Sequence, residues 1–255
     1  MSNINPKNKF IPSKHINYPV VFPTEKWIRI YIKDILIAES SETLLLLDGN
    51  GRQLIYFFKI AQVKTQYFIE SDYTGKKGMY RYWHIKIGEE LINNGAFSFN
   101  ETASVEYIKL LDYIGFKWDA ITAIFEEEEQ LIGHPRNPYH RIDTRTTSKL
   151  IQFKIGEKII AESTNSIALF ETDFSVRYYV PVDDVKMDYF YKSKTTSICP
   201  YKGIASYWSV IIDEKTFEDV AWSYPFPLSD AVPVKGYFSF WNVDVFVDGN
   251  FRGNY

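Results

Sequence analysis

Hydrophobic and polar residues alternate in short stretches along this chain, and the alternation predicts β-strands. Residues 27–32 read Trp-Ile-Arg-Ile-Tyr-Ile, and residues 150–155 read Leu-Ile-Gln-Phe-Lys-Ile. A period of two residues is typical of a strand that buries one face. A two-residue turn follows each stretch, at 33–34 and at 156–157, before the next apolar stretch begins. Each pair of stretches therefore predicts a β-hairpin.

The two hairpins belong to a duplication that covers most of the chain. Residues 26–48 align without a gap with residues 149–171, with 8 identities over 23 positions, and 77–99 align equally well with 202–224. The offset between the copies grows only from 123 to 125 residues. A repeat of this period has the length of a domain rather than that of a solenoid unit. We therefore predict two tandem domains, 20–132 and 133–255.

The remaining pattern predicts mainly strands in both copies. Further strands are predicted at 44–47, 53–58, 82–87 and 116–125 in the first copy, and at 167–170, 176–180, 207–212 and 237–247 in the second. Apolar residues at helical spacing predict one short helix over 105–113, whereas the matching segment 225–233 holds three prolines and cannot be helical throughout. The predicted fold class is mainly β, with two small β-sheet domains and little helix.

Composition narrows the classes of partner and the location. The formal net charge is −3, and the longest apolar run, 44–47, is strand-sized, so we expect no nucleic-acid partner and no membrane span. Cys199 is the single cysteine, which excludes an intrachain disulfide and a cysteine-rich zinc site. His134 and His140 lie six residues apart, a spacing that matches no common zinc motif, so no metal or other cofactor is expected. Residues 1–7 lack an apolar signal segment, and the expected location is the cytoplasm.

The segment between the copies, residues 133–143, is named the connector here. It reads Gly-His-Pro-Arg-Asn-Pro-Tyr-His-Arg-Ile-Asp, whereas a passive linker is typically rich in glycine and serine. Its two prolines lower the entropy that is lost when the segment becomes ordered. We therefore predict that the connector is ordered against a domain face, where Arg136 or His140 can reach into a site.

The second copy resembles the family called domain of unknown function DUF427. The resemblance covers residues 134–249 and is most specific at 199–203, which read Cys-Pro-Tyr-Lys-Gly. It implies a small, tent-like β-sheet domain related in shape to Mss4-like folds, and it implies no established activity. The first copy is similar but diverged, since it reads Thr-Gly-Lys-Lys-Gly at 74–78.

Comparison of the copies predicts a small-molecule pocket in the second one. A partly buried lysine can contact an anion or a carbonyl group, and aromatic faces stack on flat groups. The predicted lining comprises Cys199, Tyr201, Lys202, Trp208 and Trp222, with Arg136 or His140 reaching in from the connector. Tyr207 and Tyr224 are further candidates for the aromatic walls of the same pocket. Structural roles stay open as alternatives: the tryptophans would fill the core, and Lys202, whose counterpart Lys77 persists in the first copy, would pair with Glu162.

Three classes of function remain open at this point. The leading hypothesis is a small-molecule binding protein whose second copy holds the pocket. The second is an enzyme that uses Cys199 as a nucleophile, because a nearby lysine lowers the pKa of a thiol. The third is a structural or protein-interaction module, in which the duplication builds a pseudo-symmetric surface. The sequence leaves the oligomeric state open.

Overall fold

β-strands dominate both of the units into which the chain divides. The computed structural model describes residues 16–49, 53–75 and 78–254. Of these, residues 16–137 form the first unit and residues 138–254 the second. Strands account for 58% and helices for 12% of the structure. The predicted fold class, mainly β in two tandem domains, is therefore confirmed, while the tent-like shape and the kinship with Mss4-like folds stay predictions.

The described part of the first unit contains two antiparallel sheets. Its strands are β1 (Val20–Thr24), β2 (Ile28–Ile32), β3 (Ile35–Ser40), β4 (Thr43–Asp48), β5 (Gln53–Lys59), β6 (Phe68–Ser71), β7 (Tyr80–Ile87), β8 (Glu90–Phe99), β9 (Tyr113–Phe116), β10 (Ala123–Glu126) and β11 (Glu129–Gln130). One sheet has seven strands in the order β1-β4-β5-β9-β8-β7-β6, and the other has four in the order β11-β10-β2-β3. Short 3₁₀ helices occupy Ile60–Gln62, Thr65–Tyr67, Val105–Leu110 and Trp118–Ala120.

The second unit repeats this topology strand for strand. Its strands are β12 (Ile142–Thr147), β13 (Ile151–Ile155), β14 (Lys158–Ser163), β15 (Ser166–Glu171), β16 (Arg177–Pro181), β17 (Phe190–Cys199), β18 (Gly203–Ile212), β19 (Lys215–Ser223), β20 (Tyr237–Phe240), β21 (Asp244–Val247) and β22 (Asn250–Asn254). The sheet orders are β12-β15-β16-β20-β19-β18-β17 and β14-β13-β21-β22. The 3₁₀ helices are Val182–Asp184, Met187–Tyr189 and Ser229–Val234. The repeat in the sequence is therefore also a repeat of the fold.

Strand alternation sorts the apolar side chains of each seven-stranded sheet onto two faces. In the second unit, Val180 and Trp208 point to a core that they share with strands of the four-stranded sheet. Their neighbours Tyr179 and Tyr207 point to the opposite face, into a smaller cluster that the helix Ser229–Val234 covers in part. The candidate site lies on this second face.

Two predicted strands are wrong, because each contains a break that the hydrophobic pattern does not reveal. The stretch predicted at 116–125 is divided between β9 and β10, and the stretch at 237–247 between β20 and β21, and the parts belong to different sheets. Around the second break, Phe240, Val243 and Val245 are all buried, so the apolar pattern continues while the backbone turns at Asn242, where φ is +56°. The short helix predicted over 105–113 is present as the 3₁₀ helix Val105–Leu110.

No helix within the described ranges has the length and apolar character that a membrane crossing requires.

Candidate functional site

A three-residue turn places two of the predicted site residues. Strands β17 and β18 form a hairpin that closes at the pair Cys199–Gly203, with residues 200–202 as its turn. Gly203 has φ of +110°, and a Cβ atom there would lie 3.0 Å from the carbonyl oxygen of Phe226. Leu228 donates its backbone N–H to the carbonyl oxygen of Lys202 at 3.0 Å. A glycine is therefore required for the turn to pack against the segment that follows β19.

Four side chains meet at this turn, and they are named the Glu171 cluster: His140, Glu171, Tyr201 and Lys202. Lys202 Nζ donates to Glu171 Oε2 at 2.5 Å, and His140 Nε2 lies 3.0 Å from Glu171 Oε1. The imidazole ring stacks on the Tyr201 ring with centroids 4.0 Å apart and planes inclined by 30°. The side chains of Lys202, Glu171 and His140 are only 11%, 10% and 16% exposed. The cluster is thus a largely buried arrangement of charged and ionisable groups.

The second half of the connector brings His140 to this cluster. Strand β12 pairs with β15, and Ile142 lies opposite Glu171. Thr172 extends the ladder, because its N–H donates to the carbonyl oxygen of Arg141 at 3.0 Å and its hydroxyl accepts from the Arg141 N–H at 2.9 Å. His140 is therefore anchored beside the end of β15, one residue before this ladder.

Glu171 carries a negative charge that its neighbours stabilise. Burial by itself raises the pKa of this carboxyl group, but the hydrogen bond with His140 and the charge and hydrogen bond of Lys202 outweigh burial. The net effect lowers the pKa of Glu171 below its ordinary value. The carboxylate therefore stays ionised at neutral pH and acts only as a hydrogen-bond acceptor.

Polar aromatic side chains line the sheet face next to this cluster, and Tyr179, Tyr207, Trp222 and Tyr224 are named the Tyr179 face. Trp222 Nε1 donates to the Tyr179 hydroxyl at 3.3 Å, and the Tyr207 hydroxyl lies 2.8 Å from Ser197 Oγ. Tyr224 is 5% exposed, and its hydroxyl takes part in none of the hydrogen bonds found among the described residues. Burial raises the pKa of both Tyr179 and Tyr224, so both phenols remain protonated donors.

Comparison with known proteins assigns the chain to a family. The family model for the domain of unknown function DUF427 matches residues 20–127 and again residues 143–249. The chain belongs to this family. No curated protein matches the chain. The two matches confirm the prediction of two tandem DUF427 domains. From here on, the first and the second unit are called the first and the second DUF427 domain.

The second DUF427 domain brings most of the predicted lining together. His140, Tyr201 and Lys202 meet directly, and Cys199 and Trp222 both border the apolar cluster of the Tyr179 face. Trp208 is separated from them, because it lies on the opposite face of the sheet, where its ring packs against Phe238 at 4.6 Å. Arg136 belongs to the first unit, and its contribution to the site stays a prediction.

Lys202 does not form its ion pair with Glu162, the partner that the sequence analysis offered as an alternative. Its partner is Glu171, whereas Glu162 accepts a hydrogen bond from Gln152 on the neighbouring strand. Glu162 follows a residue that points into the core, so strand alternation turns its side chain towards solvent. The counterpart Lys77 lies outside the described residues.

Sequence reasoning missed two members of the site, Glu171 and Tyr179. For Glu171 a signal was present, because it is the last residue of the aligned window 149–171 and its counterpart Asp48 is acidic as well. For Tyr179, the sequence shows only an aromatic residue in a strand, and such residues usually fill a core.

Proposed function

We propose that the second DUF427 domain binds a small molecule between the Glu171 cluster and the Tyr179 face. The observation that carries this proposal is the ionised, buried Glu171, held by Lys202 and His140 beside a wall of protonated phenols. Sites for small molecules combine mainly apolar, aromatic surfaces with a few well-placed polar groups. Burial of charges carries a large desolvation cost. A role in binding explains why charged side chains are present here despite that cost.

The polar groups retain hydrogen-bonding capacity for a ligand. Lys202 has three N–H donors, and Glu171 takes one of them. Each oxygen of Glu171 has a second lone pair, because His140 and Lys202 approach different oxygens. A ligand can therefore accept a hydrogen bond from Lys202 and donate one to Glu171.

Binding is favoured over catalysis by Cys199. A thiol nucleophile usually needs a base that removes its proton. His140 directs Nε2 to Glu171, so this nitrogen is not available to Cys199. Cys199 itself borders the apolar cluster that contains Tyr179 and Tyr224, where it serves as a small apolar side chain.

Thermal unfolding of the full chain in the presence of candidate ligands tests the proposal. The panel contains nucleotides, small anions and small phenols, and the proteins are the wild type, Lys202→Met and the matched control Lys235→Met, whose lysine is exposed. A ligand at about 100 times its Kd adds roughly 2.7 kcal/mol of stability. We expect at least one compound to raise the Tm of the wild type and of Lys235→Met by several degrees, and to leave the Tm of Lys202→Met unchanged. The proposal fails if no compound raises the Tm, or if Lys202→Met responds like the wild type.

A further inference from the structure

In the first DUF427 domain, a tyrosine side chain occupies the sheet face that corresponds to the Tyr179 face of the second domain. Tyr107 lies in the 3₁₀ helix Val105–Leu110 and is buried. Its ring stacks on Phe99 with centroids 4.4 Å apart and planes inclined by 18°. Its hydroxyl donates to Asp48 Oδ2 at 2.8 Å. A phenol thus occupies this site of the first domain, with a ring below it and a carboxylate at its hydroxyl.

The second domain keeps the ring and the carboxylate but lacks the phenol. Glu171 ends β15 as Asp48 ends β4, and Tyr224 follows the end of β19 where the aligned sequence of the first domain has Phe99. The third residue of the helix Ser229–Val234 is Ala231, where the helix of the first domain has Tyr107. Ala231 is fully buried and belongs to the same apolar cluster as Tyr224.

The second domain also lacks the counterpart of a second aromatic ring, that of Tyr80. Tyr80 of β7 packs on Phe99 with centroids 5.0 Å apart, and its aligned counterpart in β18 is Ala205, which is also buried in the cluster of the Tyr179 face. Trp222 in place of Phe97 recovers part of the lost volume. Loss of core volume destabilises a fold when no other group replaces it, and a ligand ring at this place would restore the lost contacts.

We propose that the ligand of the second domain is a small phenolic compound, whose ring stacks on Tyr224 and whose hydroxyl donates to Glu171, as Tyr107 does with Phe99 and Asp48. This inference rests on the proposed function and names the ligand class for the same site. The Tyr224 hydroxyl, which is in none of the hydrogen bonds of the described residues, is a donor for an acceptor group elsewhere on the ligand. Lys202 and His140 hold the carboxylate in place for the phenol.

Calorimetric titration of the full chain with phenol, toluene and inorganic phosphate tests this inference. The variants are Ala231→Tyr, which introduces the ring of the first domain, and the matched control Val232→Tyr, which adds the same ring at a position that is 54% exposed. We expect phenol to bind the wild type and Val232→Tyr with similar affinity and Ala231→Tyr at least tenfold more weakly. Toluene, which has the ring but no donor, should bind the wild type at least tenfold more weakly than phenol.

Each other outcome overturns the inference, and the outcomes separate it from the proposed function. If phenol and toluene bind with equal affinity, or if only phosphate binds, the site binds a small molecule but forms no hydrogen bond with a phenol. Either result refutes the inference and leaves the proposed function standing. Absence of binding by these compounds and by the earlier panel would defeat both proposals. If circular dichroism shows that Ala231→Tyr is unfolded, Glu171→Gln takes its place: phenol must then lose its advantage over toluene, and an undiminished advantage refutes the role of Glu171.

Discussion

Replacement of Lys202 by methionine removes one partner of the buried ion pair while it keeps most of the side-chain volume. Lys202 and Glu171 retain only 11% and 10% of their side-chain exposure. Removal of one partner from a buried pair typically costs about 3–5 kcal/mol, because the other charge stays desolvated without compensation. His140 still contacts Glu171 in the variant. We therefore expect the lower end of this range, about 3 kcal/mol.

Hydrogen exchange of the full chain, measured by mass spectrometry, reports this loss for each domain separately. A free-energy change of about 1.4 kcal/mol corresponds to a tenfold change in an equilibrium constant. Amides of β15 and β19 that exchange through opening of the second domain should therefore exchange roughly 100-fold faster in Lys202→Met. Amides of β4 and β8 in the first domain should keep their rates.

Two further variants separate the charge from the volume of the side chain. Lys235→Met changes an exposed lysine of the same domain and should alter stability by less than about 0.5 kcal/mol. The double variant Lys202→Met, Glu171→Gln has no buried charge left unpaired and should recover most of the loss. The reasoning is refuted if exchange in Lys202→Met accelerates less than tenfold, or if the double variant is as unstable as the single one.

Two more predictions concern Glu171 and the turn at Gly203. The pKa of Glu171 is lowered in the folded state. Its contribution to the free energy of unfolding is therefore present above the ordinary glutamate pKa and is lost as the pH falls through the folded value. Urea unfolding should show that the wild type is more stable than Glu171→Gln at pH 7, and that this difference shrinks below about pH 4. Gly203→Ala should cost about 1–3 kcal/mol in the same assay, because φ is +110° and the new Cβ meets the Phe226 carbonyl oxygen at 3.0 Å. Gly156→Ala, with φ of +57° and no atom within 4 Å, should cost less, and equal losses would contradict the role of that close approach.

Local patterns explain why much of the fold was predictable from the sequence. The alternation at residues 27–32 and 150–155 reflects burial of every second side chain, as the burial of Ile28, Ile30 and Ile32 shows. Alternation also places neighbouring residues on opposite faces. The prediction of Tyr207 and Trp208 in one pocket overlooked this consequence, and the structure separates the two rings.

Several strands left no signal that a single sequence could show. The edge strands β6 and β17 contain no fully buried residue, and the mainly polar sequence of β17 resembles that of a loop. At the breaks within 116–125 and 237–247 one strand ends and another begins, but buried apolar residues lie on both sides of each break. A pattern of hydrophobicity reports burial and is insensitive to which sheet a strand joins.

The sequence by itself determined the duplication, the mainly β class and the position of Tyr201 and Lys202 in one turn, because all three depend on neighbours along the chain. Only the tertiary structure decided that Lys202 pairs with Glu171, 31 residues away, and that His140 from the connector completes the cluster. It also placed Tyr107 of the first domain where the second domain has Ala231. These relations join side chains from strands that become neighbours only in the folded sheet, and the periodicity of one segment carries no information about them.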